Sequence, residues 1–190
     1  MIRRWWSGRS AGAGARLRVL MVCSGNICRS PTAEAVLRAR LAAAGLADQV
    51  QVDSAGTQDY HRGSPPDARA VARGAARGYD LQGLRARLLA DADFERFDLL
   101  LAMDRGHLDL MHRRSPPDCR ERIDLLMRFA PGLAPDDEVP DPYYGSLTGF
   151  DHVLDLVEPA CDALLLDLQR RLADMAAASS VGAGRARGPG

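Results

Sequence analysis

The sequence has 190 residues, 46% of them hydrophobic, which suits one α/β domain better than two. Its 25 acidic residues balance 25 basic residues, all arginine, so the excess of positive charge typical of a nucleic-acid partner is missing. No apolar run is long enough to span a membrane, and four irregularly spaced cysteines suit a reduced cytoplasmic protein better than a disulfide framework.

Both ends of the chain are rich in Gly, Ala, Ser and Arg. We predict a flexible N-terminal extension over 1–15, a folded domain over 16–175 and a flexible C-terminal tail over 176–190. The N-terminal segment begins with basic residues but has no apolar core, so it is not predicted to be a signal peptide.

Between these ends, strand-like and helix-like segments alternate along the chain. Apolar runs predict strands over 17–22, 49–55, 98–103 and 123–127. Helical spacing and breaker residues predict helices over 31–44, 65–77, 104–113 and 150–173. This alternation predicts a doubly wound, largely parallel sheet with helices on both faces and a ligand site beyond the carboxyl ends of its strands.

The segment Cys23–Ser30 follows the first predicted strand and has the form C-x5-R-S. A loop of this length can curl so that its backbone N–H groups converge on one anion, and Gly25 and Asn26 tolerate the left-handed conformations that such a turn needs. The following helix N-terminus favours a bound phosphate and the thiolate form of Cys23. The predicted phosphate-binding residues of this loop are Ser24, Gly25, Asn26, Ile27, Cys28 and Ser30.

Three side chains of the loop suggest phosphate-ester chemistry. Cys23 would attack phosphorus, Arg29 would bind two phosphate oxygens with its planar fork, and Ser30 could donate its hydroxyl to the thiolate. A buried structural cysteine beside a helix-capping loop is the alternative interpretation of the pattern. A Walker-type nucleotide loop is excluded because the sequence contains no lysine.

A second candidate segment begins at Asp141 and continues through Pro142, Tyr143 and Tyr144 to Gly145. The leaving oxygen of a phosphate ester needs a proton, so we predict Asp141 as the general acid and, in the second step, as the general base. The two tyrosine rings could flank a planar substrate group. An ordinary surface turn is the alternative, since Asp-Pro is common in turns.

In these segments the sequence resembles the low-molecular-weight protein-tyrosine phosphatases. The matching pieces are residues 22–34, 53–57, 102–104 and 141–145, in the order found in that family. The resemblance implies a four-stranded parallel sheet, no metal and no organic cofactor. It also implies a phosphotyrosine-containing protein substrate, inhibition by phosphate and vanadate, and the roles given above for Cys23, Arg29, Ser30 and Asp141.

The resemblance further implies supporting roles. Asn26 would hold the loop together with Ser54, Asp104 would contact Arg29, and three tyrosines would form the walls of the entrance: Tyr60, Tyr143 and Tyr144. The chain departs from the family in its terminal segments, which leave open a start downstream of Met1. It also lacks a histidine near Gly83 that some members place behind the phosphate loop.

Several alternatives remain at this point. Cys28 could trap oxidised Cys23 as a disulfide or could simply fill space beneath the loop. The four histidines lack metal-binding spacing, so surface or capping roles are expected for His61, His107, His112 and His152, with His61 a candidate for the pocket rim.

The rival functions are arsenate reduction, phosphoarginine hydrolysis and phosphate binding without turnover. Arsenate reductases of this fold need a further pair of cysteines, and this chain has no cysteine between Arg69 and Arg114. Relatives specialised for phosphoarginine carry Thr where this loop has Ile27, which favours phosphotyrosine here. The presence of both Cys23 and Asp141 argues against a pure binding module.

Overall fold

The computed structural model describes residues 16–130, 132 and 138–185. Within them lies a sheet of four parallel strands: β1 (Leu17–Cys23), β2 (Val50–Gly56), β3 (Leu99–Ala102) and β4 (Ile123–Leu125). The strand order is β2-β1-β3-β4, so each connection crosses over through a helical segment. The predicted doubly wound parallel sheet is confirmed.

The described residues also form five α-helices: α1 (Arg29–Ala43), α2 (Ala68–Ala76), α3 (Asp91–Arg96), α4 (Arg105–Arg114) and α5 (Leu147–Arg185). Two 3-10 helices, Pro117–Arg122 and Leu126–Phe129, flank β4. The sequence did not predict α3, because six residues are too few to establish a helical period. The predicted fourth strand ends two residues early, because Leu126 begins a 3-10 helix.

Two helix boundaries differ from the prediction for local reasons. Helix α2 begins after Asp67, whose side chain accepts the N–H of Arg69 as an N-cap, so the two preceding prolines lie outside the helix. Helix α5 continues to Arg185, so residues 176–185, which the sequence placed in a flexible tail, are helical. The run Ala176-Ala177-Ala178 has high helix propensity and favours continuation of the helix past residue 175. Residues 1–15 and 186–190, predicted to be flexible, lie outside the described residues.

The core occupies both faces of the sheet because successive residues of a strand point to opposite sides. On one face, Val19 and Met21 of β1 belong to a buried cluster that includes residues of α1 and α5. On the other face, Leu20 and Val22 belong to a second cluster with Phe94 and other residues of the α3 and α4 region. The sheet is therefore covered on both sides.

All four strands end at the same edge of the sheet, and the phosphate-loop sequence lies there between β1 and α1. Cys23, the last residue of β1, is paired with Gly56, the last residue of β2. Among the described residues, no helix is both long enough and apolar enough to cross a membrane.

Candidate active site

The phosphate loop, defined here as residues 23–30, turns sharply between β1 and α1. Asn26 has a φ of 55°, the left-handed conformation predicted from the sequence. Gly25 does not have a positive φ, which corrects the prediction for that residue. An added Cβ there would lie 2.9 Å from Cδ2 of His61, so a larger residue would require this histidine side chain to move.

Cys23 lies at the bottom of this loop and is buried. Its Sγ is 3.0 Å from Oγ of Ser30, and that same Oγ accepts a hydrogen bond of 2.9 Å from Nδ2 of Asn26. Because Asn26 supplies a hydrogen to Ser30, the hydroxyl hydrogen of Ser30 can point to the sulfur or to the carbonyl of Ala55, 3.4 Å away. The sulfur of Cys23 therefore has a hydroxyl donor within hydrogen-bond distance.

The loop is held from below by the side chain of Asn26. Its Nδ2 donates to Oγ of Ser54 over 2.8 Å, and its Oδ1 accepts the backbone N–H of Arg87 over 2.9 Å. The predicted pairing of Asn26 with Ser54 is present in the structure. The backbone of Arg87 therefore supports the loop together with Ser54.

Glu34 continues this network and was not singled out from the sequence. Ser54 donates to its carboxylate over 2.5 Å, and Arg38 pairs with it one helical turn further along α1. Burial raises the pKa of Glu34, while the hydrogen bond from Ser54 and the charge of Arg38 lower it. A connected set of side chains thus runs from Arg38 at the surface to the loop.

Arg29 begins α1, and its guanidinium is almost completely buried. Nη1 donates to Oδ2 of Asp104 over 2.8 Å and to the carbonyl of Val139 over 3.2 Å. Nη2 donates to Oδ2 of Asp141 over 2.9 Å and to Oγ of Ser24 over 3.3 Å. The fork therefore joins the phosphate loop to two carboxylates that are far away in the sequence.

Asp104 is the N-cap of α4 and accepts the N–H of His107 over 2.9 Å. Burial alone would raise the pKa of Asp104, but hydrogen bonds from the side chain and backbone of His107, together with Arg29, hold it far below its usual range. Asp104 is therefore an anion that fixes one arm of Arg29. His107 is buried, and its Nε2 lies 2.8 Å from Oγ of Ser24, so the expectation of a surface or capping role is wrong for this histidine.

Asp141 lies above the loop with its side chain 46% exposed. Its Oδ1 accepts the N–H of Tyr143, and the ring of Tyr143 lies 6.0 Å from that of His61. Tyr60 and Tyr144 are 78% and 94% exposed, so both rings extend largely into solvent. Of the three predicted wall tyrosines, Tyr143 is the one that the structure places against the rim of the loop.

The segment that carries Asp141 is braced by Arg69, which the sequence did not identify. Arg69 donates to the carbonyls of Tyr143 and Gly145 over 3.0 and 3.1 Å. It is paired with Asp67, whose own N–H donates to the carbonyl of Ile27 over 2.8 Å. This chain of contacts connects the acid segment to the phosphate loop. Arg69 could have been suspected only from its place two residues after a capping aspartate.

Cys28 is buried at the N-terminus of α1. Burial, and then the negative charge of Asp67, raises the pKa of Cys28 to about 12, so its thiol is neutral at physiological pH. Ile27 is buried, with 8% of its surface exposed.

The assembled site has the Cys23 thiol at the base, a buried guanidinium at the side and a half-exposed carboxylate above. Among residues 16–130, 132 and 138–185, no group of His, Cys, Asp and Glu side chains could hold a metal ion. The arrangement can bind a phosphate dianion, attack it from below and protonate a leaving group from above.

Comparisons with known proteins agree with this chemistry. A family model described as low molecular weight phosphotyrosine protein phosphatase matches residues 18–174. A low molecular weight protein-tyrosine-phosphatase of Streptomyces coelicolor is 44% identical over 162 residues, covering 84% of this chain and 98% of its own length. A putative enzyme of the same description from Synechocystis is 43% identical over 157 residues, covering 82% and 99%.

Solved structures are similar over the same part of the chain. A protein tyrosine phosphatase from Entamoeba histolytica, with Hepes in the active site, superposes with a TM-score of 0.78 at 38% identity, covering 81% of this chain and 97% of its own. YfkJ from Bacillus subtilis superposes with a TM-score of 0.76 at 34% identity, covering 84% and 99%.

Proposed function

The chain belongs to the low molecular weight protein-tyrosine phosphatase family and acts through a cysteine nucleophile, and we propose that Cys23, Arg29 and Asp141 carry its reaction. The observation that supports this assignment best is the geometry of Arg29. Nη2 of Arg29 lies 2.9 Å from Oδ2 of Asp141, although the two residues are 112 positions apart in the sequence. Arg29 itself belongs to the phosphate loop that begins with Cys23. A nucleophile, an anion clamp and an acid thus meet at one point.

In the first step the thiolate of Cys23 attacks phosphorus, forming an S–P bond as the P–O bond to the tyrosyl oxygen breaks. Arg29 and the loop amides bind the equatorial oxygens of the phosphoryl group, where negative charge is spread in the transition state. Asp141 delivers its proton to the departing oxygen, so tyrosine leaves as a neutral phenol.

In the second step a water molecule attacks the phosphocysteine, and Asp141 takes up the proton that this water loses. The S–P bond breaks, inorganic phosphate is released and the thiolate of Cys23 is restored. Because Arg29 binds Asp141 in the structure, an arriving phosphate dianion competes with Asp141 for that guanidinium. Substrate binding thereby frees the carboxyl group for its role as acid.

Tyrosine phosphate suits this site because the nucleophile lies at the bottom of a buried loop while the ring of Tyr143 stands near the entrance. A long, flat aryl group can reach the sulfur and pack on that ring, whereas a phosphoseryl group is too short. Phosphate and vanadate should inhibit competitively, because both present the tetrahedral or trigonal oxygens that the loop recognises.

We further propose that residues 16–175 form the catalytic domain and that the protein works in a reducing, cytoplasmic environment. The four cysteines are all free, and Cys23 must remain a thiolate to act.

The test combines two substitutions with rapid kinetics. Cys23→Ser should bind inorganic phosphate but show no turnover and no trapped phosphoenzyme after acid quenching. Asp141→Asn should slow phenyl phosphate by about 100-fold or more in kcat, while an activated aryl phosphate slows by about tenfold or less, because only a poor leaving group needs the proton.

Asp109→Asn is the matched control, since Asp109 is an exposed aspartate on α4 and should leave both rates unchanged. Residual turnover by Cys23→Ser would refute the nucleophile. Equal slowing of both substrates by Asp141→Asn would refute the acid.

A further inference from the structure

His107 is the one histidine in the described residues that is buried against the phosphate loop. It lies in the first turn of α4, three residues after the N-cap Asp104, and its two ring nitrogens face different partners. Nε2 is 2.8 Å from Oγ of Ser24, and Nδ1 is 2.8 Å from Oδ1 of Asp104. Both partners of the imidazole are also partners of Arg29.

These contacts form a closed ring of four side chains. Nη1 of Arg29 donates to one oxygen of Asp104, and the other oxygen of Asp104 faces Nδ1 of His107. Nε2 of His107 faces Ser24, whose Oγ accepts Nη2 of Arg29 over 3.3 Å and so closes the ring. Each arm of the guanidinium is thus fixed to a group that His107 also holds.

The charge of Asp104 fixes one hydrogen of the imidazole. Because Asp104 is held as an anion, a proton must lie on Nδ1, since a lone pair at 2.8 Å from a carboxylate oxygen would be repelled. The Nδ1–Oδ1 contact is an ion-pair distance without hydrogen-bond geometry, and Oδ1 accepts the backbone N–H of His107. At the other side of the ring, Nε2 and Oγ of Ser24 share one hydrogen over 2.8 Å, and a lone pair of Oγ accepts Nη2 of Arg29.

We propose that His107 is a positioning residue that completes this ring and thereby holds Arg29 in the orientation needed by the transition state. The proposal rests on the clamp role assigned to Arg29 above. Asp141 is outside the ring, so Asp141 can leave Arg29 for the substrate oxygen while Asp104, His107 and Ser24 remain in place. Arg29 is then oriented before the phosphoryl group becomes trigonal. The entropy lost in ordering the Arg29 side chain therefore does not add to the activation free energy.

This role predicts a difference between ground state and transition state. Inorganic phosphate needs only an attractive charge near the loop, and a loosened Arg29 still provides that charge. The trigonal phosphoryl group needs the guanidinium at a defined angle, since two equatorial oxygens must be met at once. Loss of the ring should therefore weaken binding of vanadate, which imitates the trigonal state, more than binding of phosphate.

The test uses His107→Asn, which keeps an N–H near Asp104 but cannot reach Ser24, together with Ser24→Ala. His152→Asn is the matched control, because His152 is exposed on α5. We expect His107→Asn and Ser24→Ala each to lower kcat/KM for an aryl phosphate by about 10- to 100-fold, mostly through kcat. Vanadate inhibition should weaken by a similar factor and phosphate inhibition by about threefold or less.

The double variant gives a second, independent readout. Both substitutions open the same ring. The double variant, Ser24→Ala with His107→Asn, should therefore have a kcat/KM no more than about twofold below that of the less active single variant. Multiplied effects would overturn the proposal, as would equal weakening of phosphate and vanadate or a kcat/KM within about twofold of wild type in His107→Asn. These results would leave the roles of Cys23 and Asp141 untouched, because their own variants test them separately.

Discussion

Replacement of Gly56 by alanine should disturb the phosphate loop without altering any side chain that takes part in the chemistry. Gly56 ends β2 beside Cys23, and a Cβ built on it would lie 2.6 Å from the carbonyl oxygen of Ser24. It would also lie 3.1 Å from the carbonyl oxygen of Gln58 and 3.2 Å from the backbone nitrogen of Asn26. All three neighbours are backbone atoms, so none of them can rotate out of the way.

The size of the effect follows from these distances. The shortest contact must lengthen by about 0.4–0.8 Å to reach the 3.0–3.4 Å at which real Cβ contacts begin, and the loop must move by a similar amount. A displacement approaching 1 Å at reacting groups can cost about 100-fold in rate, so we expect kcat/KM to fall by about 10- to 100-fold. Overpacking should also lower the free energy of unfolding by about 1–3 kcal/mol.

Gly45→Ala separates these two effects. Gly45 follows α1 with a φ of +69°, and an added Cβ would meet no atom within 4 Å. A non-glycine residue in that conformation costs about 1–2 kcal/mol, so the control should lose comparable stability with an unchanged rate. The assays are steady-state hydrolysis of an aryl phosphate and urea denaturation of each variant. If Gly56→Ala is as active as Gly45→Ala, the argument that this glycine shapes the loop is refuted.

Four further predictions concern the residues around the loop. Iodoacetamide at about pH 8 should alkylate Cys23 and spare Cys28, because the pKa of Cys28 is raised to about 12; mass spectrometry showing Cys28 modified first would contradict this. After mild peroxide treatment, Cys28→Ser should regain less activity with thiol than wild type if Cys28 traps the sulfenate, and equal recovery would indicate a purely structural role. Ile27→Thr should reduce the preference for phosphotyrosine over phosphoarginine peptides by about tenfold in kcat/KM, because a hydroxyl gives the guanidinium a partner that isoleucine lacks; an unchanged ratio would show that Ile27 does not set selectivity. Arg69→Ala should slow hydrolysis of esters with poor leaving groups more than hydrolysis of activated esters, because the segment that carries Asp141 loses two hydrogen bonds. Arg62→Ala, at an exposed position, should change neither rate. Equal slowing of both substrates by Arg69→Ala would mean that Arg69 supports the fold and not the position of Asp141.

The parts of the site that the sequence revealed are those in which consecutive residues act together. Cys23 and Arg29 share one turn whose spacing is itself the signal, and Asn26 adopts the left-handed conformation expected of it. The alternation of strands and helices was enough to predict a parallel sheet and the edge at which the loop lies, because strand and helix periods are local properties of the chain.

Predictions from local sequence pattern were wrong or incomplete at several positions. Gly25 was predicted to supply a positive φ, yet it provides room for His61. Strand β4 ends at Leu125 instead of residue 127, the six-residue helix α3 was not predicted, and α5 continues to Arg185 where composition had indicated a tail.

The residues of the chain alone predicted a cysteine loop for phosphate and, through the resemblance to a family, Asp141 as the proton donor. Only the tertiary structure brought Asp141 to Arg29, Arg69 to the acid segment and His107 to Ser24. Hydrogen bonds between residues about 75 to 110 positions apart leave no periodic trace in a sequence, because they depend on which strand ends the fold places side by side.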